Sequence, residues 1–170
     1  QKEQFTAGEK ATAKLLIVGG GPQLEDVKTK AKSLNLARSV VFTGMIEHSR
    51  LVKSGIFGVC DLFVTASTTE TGPISLLEAQ ANGLVSVIVK GRGMDIVRNG
   101  INGYVVDPNN RSAFADAVVK LFTDAKKYNS MRKASLKTIR QYDSEKIVKK
   151  WENTYASLNA GNAASYILRK

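Results

Sequence analysis

One cysteine, one histidine, one tryptophan and three prolines occur in 170 residues, and these shortages close off several kinds of chemistry. A single thiol, Cys60, cannot build a disulfide framework. With no second cysteine and no histidine nearby, it reads as an inert, buried side chain at the mouth of a core strand. One cysteine also fits a reducing compartment. The lone histidine, His48, has no companion ligands and reads as a polar loop residue near a helix start. No D-x-D pair occurs, so no metal is expected. No apolar run approaches the ~18 residues that a membrane span requires. There is no leader pattern, and a first residue of Gln1 reads as a piece of a longer protein. Acidic residues are scarce as well, 15 against 25 Lys and Arg, for a formal net charge of +10.

What is present is a regular alternation. The hydrophobic content, 43%, is globular, and the length suits one domain with a real core. Lys14–Val18 is a continuous apolar run, as expected for a strand covered on both faces, and Gly19-Gly20-Gly21-Pro22 ends it. Leu24, Val27, Ala31 and Leu34 then recur at helical spacing. Ser39–Thr43 is a second strand closed by Gly44, and a short helix over 47–56 leads into a third strand, Asp61–Thr65. A helix over 74–82 ends at Gly83, in the C′ position glycine favours. Val85–Val89 and Gly103–Val106 follow as strands, with a turn of helix at Asp95–Arg98 between them. Asp107-Pro108-Asn109-Asn110 opens a helix striped by Phe114, Ala117, Val118 and Leu121, and beyond Ala125 only helices are expected. Ile147, Trp151, Tyr155 and Leu158 form a face expected to dock onto the sheet layer. Five strands alternating with helices predict an α/β fold: a Rossmann-like, doubly wound parallel sheet with a helical C-terminus. The domain is read as residues 1–158, and 159–170 as a tail after the break at Asn159-Ala160-Gly161-Asn162.

Two carboxylates eight residues apart, Glu70 and Glu78, frame the junction between the third strand and the next helix. Glu70 is placed at the carboxyl edge of a parallel sheet, where open α/β folds bind ligands. Glu78 is placed a turn or so into a helix whose free N–H groups can face an anion. Glu70-x7-Glu78 resembles the E-x7-E signature of retaining glycosyltransferases of GT-B fold, most closely glycosyltransferase family 4. Other segments match in the family's order: Gly19-Gly20-Gly21-Pro22 its G-x-G-P turn, Val41-Phe42-Thr43-Gly44 the strand before its base pocket, and Gly100-Ile101-Asn102-Gly103 its G-x-x-G turn. Gly91 to Asp95 falls where the family has a glycine-rich turn and an acid. The likeness runs from about Leu15 to Leu158 and covers the carboxyl-terminal, donor-binding half.

The resemblance implies a hexosyltransferase that uses a nucleotide-diphosphate sugar, UDP-linked by default, to modify a glycan, glycolipid or cell-envelope acceptor. Glu70 would act at the donor sugar as the catalytic carboxylate, and Glu78 would bind the ribose hydroxyls. Gly19, Gly21, Gly44 and Ile46 would line the nucleotide, and Gly72, Ile74 and Ser75 the phosphate and sugar. No cofactor is implied, and the fragment alone should be inactive because the amino-terminal acceptor-binding half is missing. The implied setting is cytoplasmic, with peripheral attachment at the inner face of the membrane as an extension.

The chain also departs from the family pattern. Gly72-Pro73 replaces an aromatic and a glycine, and Pro73 has no N–H to donate. The family's paired glycines become Gly91-Arg92, where Arg92 either adds a cation for the phosphates or points to water. The family's diphosphate-gripping Arg and Lys precede the position of Lys14 and have no counterpart.

The basic excess is concentrated between Lys120 and Lys150, where ten basic residues face three acidic ones. That segment is either a solvated face or a patch drawn to an anionic membrane or polymeric acceptor. Nucleic acid is not expected, because the segment lacks the aromatic interleaving of stacking platforms and matches no groove-reading motif. A non-catalytic nucleotide-binding module with a similar sheet is the alternative reading, separated from the enzyme by Glu70. A dinucleotide enzyme is disfavoured, because Leu24 stands where G-x-G-x-x-G needs its last glycine.

Overall fold

In the computed structural model, residues 13–69, 72–91 and 93–158 are described. The chain forms two compact units that meet in sequence between Val59 and Cys60.

The first unit is one βαβ crossover followed by helical turns. β1 (Leu15–Val18) and β2 (Val40–Gly44) pair in parallel, Leu15 opposite Val40 and Ile17 opposite Phe42, with a register shift between Ile17 and Val18. α1 (Leu24–Ser33) connects them, and its Ala31 is buried. The rest of the predicted α1 stripe is only partly covered, with Val27 and Leu34 exposed. α2 (His48–Lys53) starts at Glu47, whose carboxylate accepts the Ser49 backbone N–H at 3.0 Å. His48 is the exposed first residue of that helix. A single 3-10 turn, Ile56–Val59, closes the unit.

The second unit holds a three-stranded parallel sheet in the order β3 (Leu62–Thr65), β4 (Val85–Val89), β5 (Gly103–Val106). β4 is central and buried at every position, as its unbroken apolar run requires. The period of two sorts its side chains into two cores. Val85 and Val87 join Val106 with Ala117 and Leu121 of α4 (Arg111–Thr123) and Met131 of α5 (Ala125–Ile139). Ile88 joins Leu76 of α3 (Ile74–Ala81), together with Met94, Ile96 and Val97. Helices therefore cover both faces of the sheet, which is the doubly wound arrangement the alternation predicted.

α3 ends where Gly83 takes φ +79. The Gly83 N–H reaches the Gln80 carbonyl at 2.9 Å and the Leu84 N–H the Ala79 carbonyl at 3.0 Å, which is a Schellman cap. α4 is capped by the Asn110 side chain, which accepts the Ala113 N–H at 3.1 Å.

α5 is more than a packing element. Tyr128 Oη donates to the Asp61 carbonyl at 2.9 Å, Arg132 Nε to the Gly83 carbonyl at 3.2 Å, and Lys127 Nζ to the Gly100 carbonyl at 2.9 Å. Those three carbonyls precede β3, β4 and β5, so one helix fastens the amino edge of the whole sheet.

Three expectations are corrected. Asp95–Arg98 is a hydrogen-bonded turn rather than helix, with Val97 N–H on the Met94 carbonyl at 3.0 Å. Met94, Ile96 and Val97 are buried there because the turn itself seals one core. The apolar face of α6 (Ser144–Ser157) does not dock onto the sheet layer: Trp151 is 58% and Tyr155 60% exposed. α3, α4 and α5 already fill both cores, to which α6 contributes no residue. Trp151 and Tyr155 instead stack on each other at 5.9 Å. Cys60 is half-buried rather than fully enclosed. Residues 159–170, read as a tail, lie outside the described residues.

Candidate functional site

Two sets of candidate residues stand at the carboxyl ends of strands, one in each unit.

In the first unit the apolar β1 stops at three successive glycines, and two of them, Gly19 and Gly21, have φ of +125 and +150. Only glycine reaches that region readily, so the chain can leave the strand sharply. The Gly19 N–H donates to the Gly44 carbonyl at 3.0 Å, which joins the turn after β1 to the turn after β2. A Cβ on Gly20 would meet the Met45 side chain at 3.2 Å, so the two turns pack closely. The structure thus gathers Gly19, Gly21 and Gly44, with half-buried Ile46 two residues further on. A cavity of about 510 Å³ lies beside them, lined by residues 17–24 and Val27. The start of α1 carries Glu25, held below its ordinary value first by a hydrogen bond from Lys28, which sits 2.7 Å away. Behind Ile46, Glu47 is likewise held low, chiefly by the Ser49 hydroxyl and then by the Ser49 N–H.

In the second unit α3 begins at Pro73, an extended residue with φ −69 and ψ 114. Its carbonyl accepts Leu76 N–H at 3.0 Å and Leu77 N–H at 3.3 Å. Among the described residues no side chain caps the helix. Among the described residues nothing accepts the N–H groups of Ile74 and Ser75, both exposed. Two outward N–H groups at a helix start are what an anion needs. Gly72, exposed at φ +143, precedes them. Glu78 follows one turn later and is half-buried. Glu70, the candidate catalytic carboxylate, and Arg92, the candidate phosphate ligand, lie outside the described residues.

The same strand ends open a second cavity of about 370 Å³. Met94 and Val97 line it, and Lys90, Asp95, Asn99 and Asp107 supply its polar groups. Gly91, also in its wall, lies against the Thr68 backbone, where a Cβ would come within 3.1 Å of the carbonyl oxygen. Sequence reasoning passed over Lys90 and Asp107. The signal that finds them is a charged residue directly after an apolar strand.

The family model for "Glycosyl transferases group 1" matches residues 2–138. The chain belongs to the group 1 glycosyl transferases. Among curated relatives of this family, the chain is 28% identical over 145 residues to "N-acetyl-alpha-D-glucosaminyl L-malate synthase" of Bacillus anthracis, covering 84% of this chain and 37% of that protein. It is 31% identical over 120 residues to "UDP-Gal:alpha-D-GlcNAc-diphosphoundecaprenol alpha-1,3-galactosyltransferase" of Escherichia coli, covering 69% of this chain and 30% of that one. The fold matches Anabaena Alr3699/HepE, solved with UDP-glucose, at a TM-score of 0.76 and 23% identity over 85% of this chain and 41% of that one. The chain spans well under half the length of these relatives. Group 1 membership and the sheet agree with the glycosyltransferase, Rossmann-like reading of the motifs.

Proposed function

We propose that this chain is the donor-binding half of a retaining glycosyltransferase of family 4, which moves a hexosyl unit from a UDP-sugar to a glycan, glycolipid or cell-envelope acceptor. The observation that carries the reading is the start of α3, whose two outward N–H groups precede a half-buried glutamate by one turn. A departing nucleoside diphosphate brings negative charge that N–H groups at a helix terminus can stabilise. Ribose offers paired hydroxyl donors, which a carboxylate accepts, and this is the role given to Glu78. Ile74, Ser75 and Gly72 serve the phosphate and sugar. Gly19, Gly21, Gly44 and Ile46 serve the nucleotide, Arg92 adds charge for the phosphates, and Glu70 acts at the reacting sugar. With N–H groups and a cation in that role, transfer needs no metal or cofactor and should survive chelation.

The acceptor is proposed to be lipid-linked or polyanionic, met at the cytoplasmic face of a membrane. The E. coli relative is named for a diphosphoundecaprenol-linked acceptor, and the basic segment here suits an anionic surface. No described helix is long and apolar enough to cross a membrane.

Calorimetry with UDP and GDP tests the assignment. Glu78→Ala should abolish or strongly weaken binding, because two charge-assisted hydrogen bonds of roughly 1.5–3 kcal/mol each are lost. Unchanged affinity for both nucleotides sinks the ribose role. Glu70→Gln should leave UDP affinity intact and remove transfer in the full-length protein. If transfer is untouched, Glu70 is not the catalytic carboxylate; a full-length parent that binds UDP but transfers no sugar makes the non-catalytic nucleotide-binding module the better reading.

A further inference from the structure

Three fully buried side chains in the second unit carry polar atoms that find no hydrogen-bonding partner among the described residues: both ends of the Gln80 amide, Ser86 Oγ and Ser135 Oγ. An amide buried without partners loses its bonds to water and gains none in return, and native cores rarely tolerate that without an unseen partner.

Their positions are related. Leu76, Ile88 and Ile139 pack in one apolar cluster. Gln80 lies one helical turn after Leu76 on α3, and Ser135 one turn before Ile139 on α5. Ser86 lies one strand repeat before Ile88, on the same face of β4. Each step runs the same way. On α3 and β4 it leads toward the joint at Gly83, and on α5 toward Arg132, which donates to the Gly83 carbonyl. α3 packs on β4 and α5, and α5 packs on β4. All three polar side chains therefore lie on the Gly83 side of one apolar layer.

We propose that Gln80, Ser86 and Ser135 form a single buried polar layer, closed by ordered water, that fixes the pose of α3 and makes Gln80 a positioning residue for Glu78. The chemistry suits water. The amide offers two donors and an acceptor, each hydroxyl one donor and an acceptor, and a buried water makes two to four bonds. The layer grips α3 two residues beyond Glu78, so it sets the direction in which that carboxylate leaves the helix. This last step rests on the proposed ribose role of Glu78.

The test is a double-mutant cycle on the 170-residue chain with Gln80→Met and Ser135→Ala, read by denaturation and by UDP calorimetry. A second cycle of Ser86→Ala with Ser135→Ala serves if Gln80→Met does not fold. Gln80→Met keeps bulk and removes polarity, and should lower the folded-to-unfolded ratio about tenfold. The double variant should lose less than the product of the two single effects, since both act on one network. UDP affinity should fall several-fold in Gln80→Met under conditions where it stays folded, and an experimental density map should show water bound to the Gln80 amide. A Gln80→Met protein as stable as the parent, or strictly additive effects in the cycle, overturns the polar layer. A destabilised Gln80→Met with unchanged UDP affinity overturns the positioning role. A parent chain that binds no UDP defeats the glycosyl-donor reading and the positioning role that rests on it, while the stability cycle still decides the layer.

Discussion

Gly100 and Gly103 belong to one short turn, yet they resist substitution for different physical reasons, and the difference is measurable. At Gly103, the first residue of β5, a Cβ would lie 2.5 Å from the Ser86 carbonyl oxygen and 2.8 Å from Val97 Cγ1. The oxygen belongs to β4, which is buried and paired on both sides, so it cannot swing away as a flexible side chain would. Gly103→Ala must separate the strands by about 0.5 Å to restore the 3.0 Å that real Cβ contacts keep. Overpacking of this kind costs ~1–3 kcal/mol, and disturbing the Ser86–Gly103 pairing adds about 1 kcal/mol. The expected loss is about 3 kcal/mol. Gly100 has φ +76 and open space where its Cβ would be, so Gly100→Ala should cost only the ~1–2 kcal/mol of a left-handed residue. In urea, with m of about 2 kcal/mol/M, the Gly103 variant should lose about 1.5 M in midpoint at unchanged m and the Gly100 variant about half that. A Gly103→Ala protein no less stable than Gly100→Ala would refute the close approach of β5 to β4.

Removing single bonds of the α5 fastening, by Tyr128→Phe or Arg132→Met, should each cost about 1 kcal/mol in the same assay, and no loss in either would show that these contacts do not contribute. Glu47 is held below its ordinary 4.5, so the stability it lends α2 is complete above that value and disappears as pH falls through the lower folded value. An NMR titration should give a midpoint under 4.5 that rises in Ser49→Ala, and a midpoint at or above 4.5 in the parent would contradict the cap. Lys126, Lys133, Lys137, Lys149 and Lys150 are exposed, whereas Lys127 and Arg132 are engaged with backbone carbonyls. Liposome co-sedimentation should therefore rise with anionic lipid, fall with salt, and depend on the first five; equal absence from neutral and anionic vesicles in low salt would leave the segment a solvated face.

The parts of the fold that could be read in advance are those whose cause is local. β4 and β5 appear as apolar runs set off by Gly83 and Gly103, and α3 as a helix between Pro73 and a C′ glycine. The candidate residues around α3 were legible for the same reason, because a strand end, a turn and a helix start follow one another directly. The turn of helix expected at Asp95–Arg98 did not form, because Met94, Ile96 and Val97 seal a core from a turn instead. Trp151 and Tyr155 showed a face without showing what covers it, since periodicity names a side of a helix and never its neighbour. The roles of Lys127, Tyr128 and Arg132 were invisible: each reaches a carbonyl 27 to 67 residues away, and nothing in the local pattern separates such a side chain from a solvated one. The buried amide of Gln80, without a partner among the described residues, was hidden likewise, inside a helix that otherwise reads as a simple apolar stripe.

The helix that fastens the amino edge of the sheet comes after all three strands it holds. During synthesis β3, α3, β4 and β5 therefore leave the ribosome before the groups that secure their joints exist. The interval from Gly103 to the end of α5 takes about 2–7 s at ~5–20 residues per second. Through that time the nascent sheet has its own pairing, α3 and the emerging α4 to hold it, but none of the side-chain bonds to its amino edge. The second unit thus matures as a late, nearly single event, timed by the arrival of a basic helix whose most telling bonds point backwards along the chain.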